Sequence, residues 1–271
     1  MPAHNIFDCH THTHFSHDSE CDPYDSLKAA KERQIAGFAI TDHCDIEFCG
    51  DGDVKTPIKK SVVCAHEMGD GVIAGVEIGE GIWHKKNAEE VIAGSDFDIV
   101  LGSVHAVRYK NYTQPYSGID FSLLSQNEIN EYISAYFDDM LEMIKMTDFD
   151  VLSHMTCPLR YISGKYGIAV DLKNFADKTD IILKEIIDRS IALEINTSCL
   201  DTDYNALMPD IPIIERYKEL GGYLLTLGSD AHIAKRIAHG FDYALSVLSR
   251  LGFKNIYYYK NRKPIPQEIK L

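Results

Sequence analysis

The feature that most constrains the fold of this chain is a regular alternation of short apolar runs with helical segments. After a first run that ends in a histidine-rich stretch, further β-type runs span residues 37–41, 71–78, 97–104, 149–153, 191–195, 223–227 and 255–259. Segments with apolar residues at helical spacing separate most of them. Strands joined by crossover helices pair in parallel, and seven or eight such units close into a barrel. The sequence therefore predicts a single α/β domain over residues 1–271.

Composition narrows the possible partners. The 271 residues include 27 Lys and Arg against 41 Asp and Glu, a formal net charge of -14 that opposes binding to nucleic-acid phosphates. No apolar run approaches the roughly 20 residues of a membrane span, and no signal peptide is recognisable. Seven cysteines without scaffold-like spacing indicate free thiols. We therefore expect a cytoplasmic protein that binds a small molecule, with no nucleic-acid or membrane partner.

Side chains that can bind metals follow nearly all of the predicted strands. His10 and His12 are two residues apart, so an extended backbone can direct both imidazoles towards one point, with Cys9 and Thr11 facing the other way. The carboxyl ends of parallel barrel strands share one face, where barrel enzymes place their active sites. The other strand-end residues are His43, Glu77, His105, His154, Asn196, Asp230 and His232. This recurrence predicts a metal site on that face.

The number of candidate ligands indicates more than one metal ion. The strand-end histidines are joined by three carboxylates, Asp18, Glu77 and Asp230. Because zinc takes about four ligands and a catalytic site keeps one position for water, these residues suggest two or three metals. Mixed imidazole and carboxylate ligands suit zinc, iron or manganese. Clustered metals activate water and hold phosphoryl oxygens, so the expected reaction is hydrolysis of a phosphate ester.

Short motifs along the whole chain carry a resemblance to a known family. They are His10-Thr11-His12-Thr13, Thr41-Asp42-His43, Gly75-Val76-Glu77-Ile78-Gly79, Gly102-Ser103-Val104-His105, Ser153-His154, Leu193-Glu194-Ile195-Asn196-Thr197-Ser198 and Gly228-Ser229-Asp230-Ala231-His232. Together they resemble the polymerase and histidinol phosphatase (PHP) superfamily and, within it, the histidinol-phosphate phosphatases. Amidohydrolase barrels also begin with His-x-His, but they generally lack a glutamate after the third strand. The resemblance implies a distorted (β/α)7 TIM-like barrel with three divalent transition metals.

The resemblance also implies how the ligands are shared among the metals. It places His10, His12, Glu77 and Asp230 on the first metal, Glu77, His105 and His154 on the second, and Asp18, His43 and His232 on the third. Glu77 would bridge the first two metals. His17, which directly precedes Asp18, is the alternative ligand of the third metal.

The activity implied by the resemblance is hydrolysis of L-histidinol phosphate to L-histidinol and phosphate in histidine biosynthesis. A metal-bridging hydroxide would attack phosphorus in line, without a phosphoenzyme. The alternative is another phosphoesterase of the superfamily, acting on phosphotyrosine in proteins or on nucleotides. Metal identity and oligomeric state stay open at this point.

Basic residues supply candidates for substrate binding and catalysis. Arg160 resembles the phosphate-contacting arginine of the family, and Lys235 and Arg236 are weaker candidates. Protonation of the leaving group is assigned to a metal-bound water or to a nearby side chain such as His17 or His14.

Three further features bear on substrate binding, and two of them have two interpretations each. Arg108 follows His105 and is a candidate for the mouth of the site. An acidic loop would either attract a cationic amino-alcohol or lie in solvent, and it contains Asp42, Asp45, Glu47, Asp51 and Asp53. Four aromatic residues would either stack on an imidazole or pack in the core, and they are Phe48, Trp83, Tyr109 and Tyr161.

Overall fold

The computed structural model describes residues 6–45, 53–79 and 81–270, and its main sheet is a nearly closed parallel barrel. The strands are β1 Phe7–Thr11, β2 Gly37–Ile40, β3 His43–Cys44, β4 Val72–Ile78, β5 Ile99–Gly102, β6 Val151–Leu152, β7 Ala192–Asn196, β8 Leu225–Gly228, β9 Asn255–Lys260 and β10 Lys263–Glu268. Neighbours in the barrel follow the order β1, β2, β4, β5, β6, β7, β8, and the short β3 pairs with the end of β4. This is the distorted seven-stranded barrel predicted from the sequence.

Helices cover the outside of the sheet and connect its strands. They are α1 Pro23–Glu32, α2 Lys55–Met68, α3 Lys85–Ala93, α4 Gln126–Met146, α5 Ala176–Asp188, α6 Ile211–Glu219 and α7 Phe241–Arg250. Capping residues fix where two of them begin: Asp22 accepts a hydrogen bond from the Tyr24 amide, and Ser125 forms a capping box with Glu128. Among the described helices, none is long and apolar enough to cross a membrane.

An extra residue in β1 positions the first histidines. Asp8 pairs with Phe38 and Thr11 with Ile40, so β1 advances by three residues while β2 advances by two. Such a β-bulge bends a strand and redirects its side chains. Cys9 packs in an inner apolar cluster with Ala39 of β2, and the adjacent His10 is also buried inside the barrel. The strict alternation of faces that we expected for Cys9 and His10 is therefore wrong at this position.

Hydrogen bonds join the first and last barrel strands. The His12 amide donates to the Ala231 carbonyl at 2.9 Å, and the Asp230 amide donates to the His10 carbonyl at 2.8 Å. Below them, the buried Asp8 carboxylate accepts from the amides of Ser229 at 2.9 Å and Ala238 at 2.8 Å. These contacts bring the two histidine motifs from opposite ends of the chain to one seam.

The run at 255–259 is not an eighth barrel strand. It forms β9, which pairs with β10 in a separate antiparallel hairpin. The hairpin is fastened to the barrel by Tyr259, whose hydroxyl donates to the Asp150 carbonyl at 3.2 Å, and by Arg262, which pairs with the Asp150 carboxylate. Residues 172–175 form a 3-10 turn, and α5 begins directly after it at Ala176.

We expect Asp8→Asn to destabilise the fold by about 1–3 kcal/mol, because an amide cannot accept hydrogen bonds at both positions and leaves a buried donor unpaired. Urea unfolding monitored by circular dichroism in excess chelator measures this change. Asp70→Asn is the matched control, because Asp70 is exposed. Equal unfolding free energies for the two variants would contradict the assigned role of Asp8.

Candidate metal centre

The residues predicted to bind the first metal converge at the carboxyl ends of β1, β4 and β8. Nε2 of His10 and Nε2 of His12 lie 3.0 Å apart. Oε2 of Glu77 is 3.4 Å from Nε2 of His10 and 3.6 Å from Nε2 of His12. Oδ1 of Asp230 is 3.3 Å from Nε2 of His12. Four potential ligands thus surround one small volume.

The residues predicted for the second metal meet on the other oxygen of the same glutamate. Oε1 of Glu77 lies 2.8 Å from Nε2 of His154 and 3.2 Å from Nε2 of His105. Glu77 is fully buried and lies at the penultimate position of β4. Its two oxygens therefore face two separate groups of imidazoles, which is the arrangement that a bridging carboxylate requires.

The third predicted group lies closer to solvent. Oδ2 of Asp18 is 3.2 Å from Nε2 of His232 and 3.5 Å from Nε2 of His43. The His43 and His232 rings each stack on His12, with centroids 4.2 Å apart, so this group adjoins the first one. His17 is exposed, and its ring centroid lies 5.2 Å from that of His43. The geometry favours Asp18 over His17 as the partner of the two histidines.

The donor atoms fit divalent metal ions. Four groups of three side chains each bring one ligand atom within 4.8 Å of the others, and these groups overlap at His10, His12, His43 and Glu77. Within the described residues, the buried atoms Oε2 of Glu77 and Nδ1 of His43 make no hydrogen bond of acceptable geometry. Buried carboxylate oxygens and imidazole nitrogens that lack a hydrogen-bond partner are typical metal ligands.

Positive charge close to Glu77 stabilises its buried carboxylate, and the pKa values of the cluster reflect this. Burial opposes charge on Glu77, but His10 and the other histidines outweigh it and hold the pKa of Glu77 well below its usual range. Burial also opposes charge on His105, yet Asp45 and Glu77 raise its pKa to about 10. By contrast, burial and the neighbouring histidines hold the pKa of His12 well below its usual range. A metal ion bound among these side chains would supply the positive charge beside Glu77 in place of protons on the histidines.

Buried carboxylates that were not predicted as site residues orient the predicted ligands. Oε1 of Glu194 lies 2.7 Å from Nδ1 of His10, and Oδ2 of Asp45 lies 3.0 Å from Nδ1 of His105. Glu194 could have been recognised as a charged residue inside a buried strand. Asp45 is buried against His105 and lines the pocket beside the ligands, so the interpretation that it lies in solvent is wrong, whereas attraction of a cationic substrate stays a prediction.

The rest of the acidic loop has mixed positions. Asp42 is buried and accepts hydrogen bonds from the Thr13 amide at 2.6 Å and the Ser16 hydroxyl at 2.9 Å. Asp53 is exposed. Glu47, Asp51 and the aromatic candidate Phe48 lie outside the described residues. The loop is therefore partly a support for the histidine strand.

Arg160 lines a pocket that opens onto the cluster. The pocket wall also includes Cys157, Tyr116 and Tyr161, together with several of the predicted ligands. Arg160 begins a π-helical segment, Arg160–Lys165, that follows β6 and His154. Its guanidinium carbon lies 5.9 Å from the centroid of the Tyr161 ring. Within the described residues, this guanidinium makes no hydrogen bond or ion pair, so its donors are available to a ligand.

The other basic candidates are engaged elsewhere. Arg236 donates to the Ser198 carbonyl at 2.8 Å, and Lys235 is exposed; neither lines the pocket. Arg108 pairs with Asp139 and Glu142 of α4, so its predicted place at the mouth is wrong. The expectation of phosphate binding therefore rests on Arg160.

Two aromatic candidates have structural partners. The Trp83 indole donates to the Ala106 carbonyl at 3.1 Å, and the Tyr109 hydroxyl donates to Glu131 at 2.8 Å. Tyr161 alone among the described candidates lines the pocket. Of the predicted proton donors, His17 also lines it, whereas the His14 ring packs against Phe15 with centroids 4.3 Å apart.

A larger cavity of about 690 Å³ lies away from the histidines. Its wall includes Val170, Tyr204, Asp210 and Ile213 and contains no histidine or cysteine. The six cysteines of the described ranges form no disulfide with one another, as predicted. The chemistry therefore belongs to the smaller pocket beside the ligand cluster.

Comparison with known proteins agrees with this geometry. A sequence model of the PHP domain matches residues 8–198. A probable histidinol-phosphatase of Clostridium acetobutylicum is 30% identical over 260 residues, 94% of this chain and 97% of that protein. A histidinol-phosphatase of Lactococcus lactis is 28% identical over 277 residues, 96% of this chain and 98% of that protein.

The fold is also similar to a solved structure. The crystal structure of histidinol phosphate phosphatase from Lactococcus lactis, complexed with zinc, L-histidinol and phosphate, superimposes with a TM-score of 0.80 at 25% identity. The match covers 97% of this chain and all of that one. The PHP match spans well over half of the sequence, and the family expected from the motifs is confirmed. This chain belongs to the PHP domain family.

Proposed function

We propose that this protein is a metal-dependent phosphatase that hydrolyses L-histidinol phosphate to L-histidinol and phosphate. The observation that carries the proposal is one pocket that combines an unpaired guanidinium, that of Arg160, with a cluster of potential metal ligands. Relatives over nearly the whole chain are named histidinol-phosphatases, and the solved relative holds zinc, L-histidinol and phosphate. These findings support the activity expected from the sequence.

The proposed site holds three divalent metals, with zinc favoured because the solved relative contains it. The first is assigned to His10, His12, Glu77 and Asp230, the second to Glu77, His105 and His154, and the third to Asp18, His43 and His232. When bound, such ions supply Lewis acidity and an activated water for attack on phosphorus. The protein contributes a preformed and mostly buried set of ligands whose three carboxylates, Asp18, Glu77 and Asp230, would offset part of the charge of the ions.

Inductively coupled plasma mass spectrometry should find about three transition-metal ions per chain after purification from metal-replete medium. Removing the ions with a chelator should abolish phosphatase activity, and adding zinc should restore it, because the ligands alone offer no electrophile for the phosphoryl oxygens. Two ions per chain would contradict the third site, and fewer than about one would overturn the metal-dependent mechanism.

Arg160 is proposed to bind the phosphate oxygens that face away from the metals. A guanidinium presents a planar pair of donors that matches two oxygens of a phosphate. Burial opposes the charge on Arg160, but Cys157, Asp230 and other nearby groups outweigh it and raise the pKa, so the side chain stays positive. The developing charge on the phosphoryl group in the transition state would strengthen this contact.

Arg160→Gln should lower kcat/KM for histidinol phosphate by about 10²–10³-fold, because one charged donor pair to the transition state is lost. Steady-state kinetics with metal content measured in parallel tests this, and the metal content should not change. Lys235→Ala is the matched control, since that lysine is exposed and does not line the pocket. A loss below about fivefold for Arg160→Gln would exclude the proposed phosphate contact.

The outer part of the pocket is suited to the leaving group. His17 is exposed at the rim and lines the pocket together with Tyr161 and Tyr116. We assign to a ring nitrogen of His17 the delivery of a proton to the departing alcohol oxygen, a role that histidine commonly takes. The Tyr161 ring offers an aromatic face to the imidazole of histidinol.

A substrate comparison separates histidinol phosphate from the alternative substrates of the superfamily. We expect kcat/KM for histidinol phosphate to exceed that for a phosphotyrosine peptide and for a nucleoside monophosphate by at least about tenfold. The physical reason is the small pocket with aromatic and imidazole groups at its rim. A better rate with either alternative substrate would overturn the substrate assignment and leave the phosphatase class intact.

The expected absence of nucleic-acid partners stays a prediction.

A further inference from the structure

One buried carboxylate contacts two of the proposed metal ligands at once. Glu194 lies in the middle of β7 and is completely inaccessible to solvent. Its Oε1 lies 2.7 Å from Nδ1 of His10, and its Oε2 accepts a hydrogen bond of 2.7 Å from the backbone amide of His154. His10 belongs to the proposed first metal site and His154 to the second. Glu194 itself is in neither set of ligands.

The contact with His10 determines which ring nitrogen can bind a metal. A carboxylate accepts hydrogen bonds, so Nδ1 of His10 carries the proton and Nε2 keeps its lone pair. Nε2 is the atom that points into the cluster, 3.0 Å from Nε2 of His12 and 3.4 Å from Oε2 of Glu77. Glu194 therefore selects the tautomer that presents a free donor to the metal.

The contact with His154 stabilises an unfavourable backbone conformation at that residue. His154 has a φ of 23°, in a region that residues other than glycine rarely adopt. Its amide is held by Oε2 of Glu194, and the same oxygen accepts a hydrogen bond of 3.2 Å from the Asn196 side chain. This anchoring directs Nε2 of His154 to Oε1 of Glu77, 2.8 Å away.

A glycine on the neighbouring strand leaves room for this arrangement. A Cβ atom at Gly228 of β8 would lie 2.0 Å from Oε1 of Glu194 and 2.7 Å from Cβ of His10. Both distances are far below van der Waals contact, and the second involves an atom fixed by the backbone. The absence of a side chain at Gly228 is therefore a requirement of the Glu194–His10 pair.

We propose that Glu194 is a positioning residue that prepares the first and second metal sites together, through the His10 ring and the His154 backbone. The inference rests on the metal-dependent function proposed above. Both metal sites would then depend on Glu194, although the only ligand that they share is Glu77. Loss of the carboxylate weakens both sites and leaves the Asp18 site, which has no contact with Glu194 within the described residues, nearly unchanged.

Glu194→Gln is the sharpest test because the two side chains have nearly the same shape. Glutamine has only one acceptor oxygen. Its NH2 group, which is a donor, must therefore face either Nδ1–H of His10 or the backbone N–H of His154, and these are donors as well. We expect zinc affinity to fall by about 10–100-fold at two of the three sites, measured by competition with a chromophoric chelator. Glu219→Gln on α6 is the control, because Glu219 is exposed and pairs with Arg216 rather than with a ligand.

Visible absorption of the cobalt-reconstituted protein supplies a readout that a loss of stability would not move. The d–d bands should change in Glu194→Gln and stay unchanged in Glu219→Gln, with circular dichroism confirming that both are folded. Zinc affinity within twofold of the unchanged protein, with unaltered bands, would overturn the positioning role. Failure of the unchanged protein to bind zinc would instead overturn the proposed function.

A measurement on the zinc-loaded wild-type protein tests the inference even if the Glu194→Gln variant does not fold. Long-range ¹⁵N–¹H NMR of the histidine-labelled, zinc-loaded protein should show His10 protonated at Nδ1 and bound to metal through Nε2. Assignment by comparison with His10→Gln identifies the resonance. The opposite tautomer for His10 would overturn the inference whatever the variant does.

Discussion

The structure depends on the burial of one carboxylate among histidines. Glu77 is inaccessible to solvent, and its oxygens lie 2.8 Å from His43 and His154, 3.2 Å from His105 and 3.4 Å from His10. A buried charge is strongly unfavourable unless it is paired and hydrogen-bonded. The barrel provides that pairing by delivering an imidazole from each of several strand ends. Metal ions would stabilise the Glu77 carboxylate in the same way, because they bring positive charge between the carboxylate and the imidazole rings.

The strand-end ligands could be predicted because a parallel sheet brings all its carboxyl ends to one face. Only the positions of the preceding strands were needed to predict His43, Glu77 and His105 as ligands. No knowledge of side-chain packing was required. The β1 bulge and the final hairpin could not be predicted in this way. The bulge adds one residue without any composition signal. The run at 255–259 has strand composition, and only tertiary contacts such as Arg262 with Asp150 decide that it pairs outside the barrel.

Charged residues outside the strands were harder to assign, since their partners are distant in sequence. Arg108 is neutralised by Asp139, 31 residues away, and Arg236 reaches the Ser198 carbonyl, 38 residues away. Arg160 is left without such a partner within the described residues because the π-helical turn after β6 holds it at the pocket wall. Sequence proximity to a histidine motif therefore identifies a set of candidate arginines, and the helices that surround the barrel decide which one stays available.

The two ends of the barrel meet within the site itself, which ties its assembly to closure of the fold. His10 lies in β1 and His12 directly follows it, whereas Asp230 and His232 follow β8. The two backbones are connected by hydrogen bonds. The first proposed metal therefore takes ligands from both sides of the seam. A metal bound there would hold the seam shut in addition to the Asp8 contacts, because it binds the folded chain and finds no equivalent set of ligands in the unfolded one. The same ion would thus serve both chemistry and barrel closure.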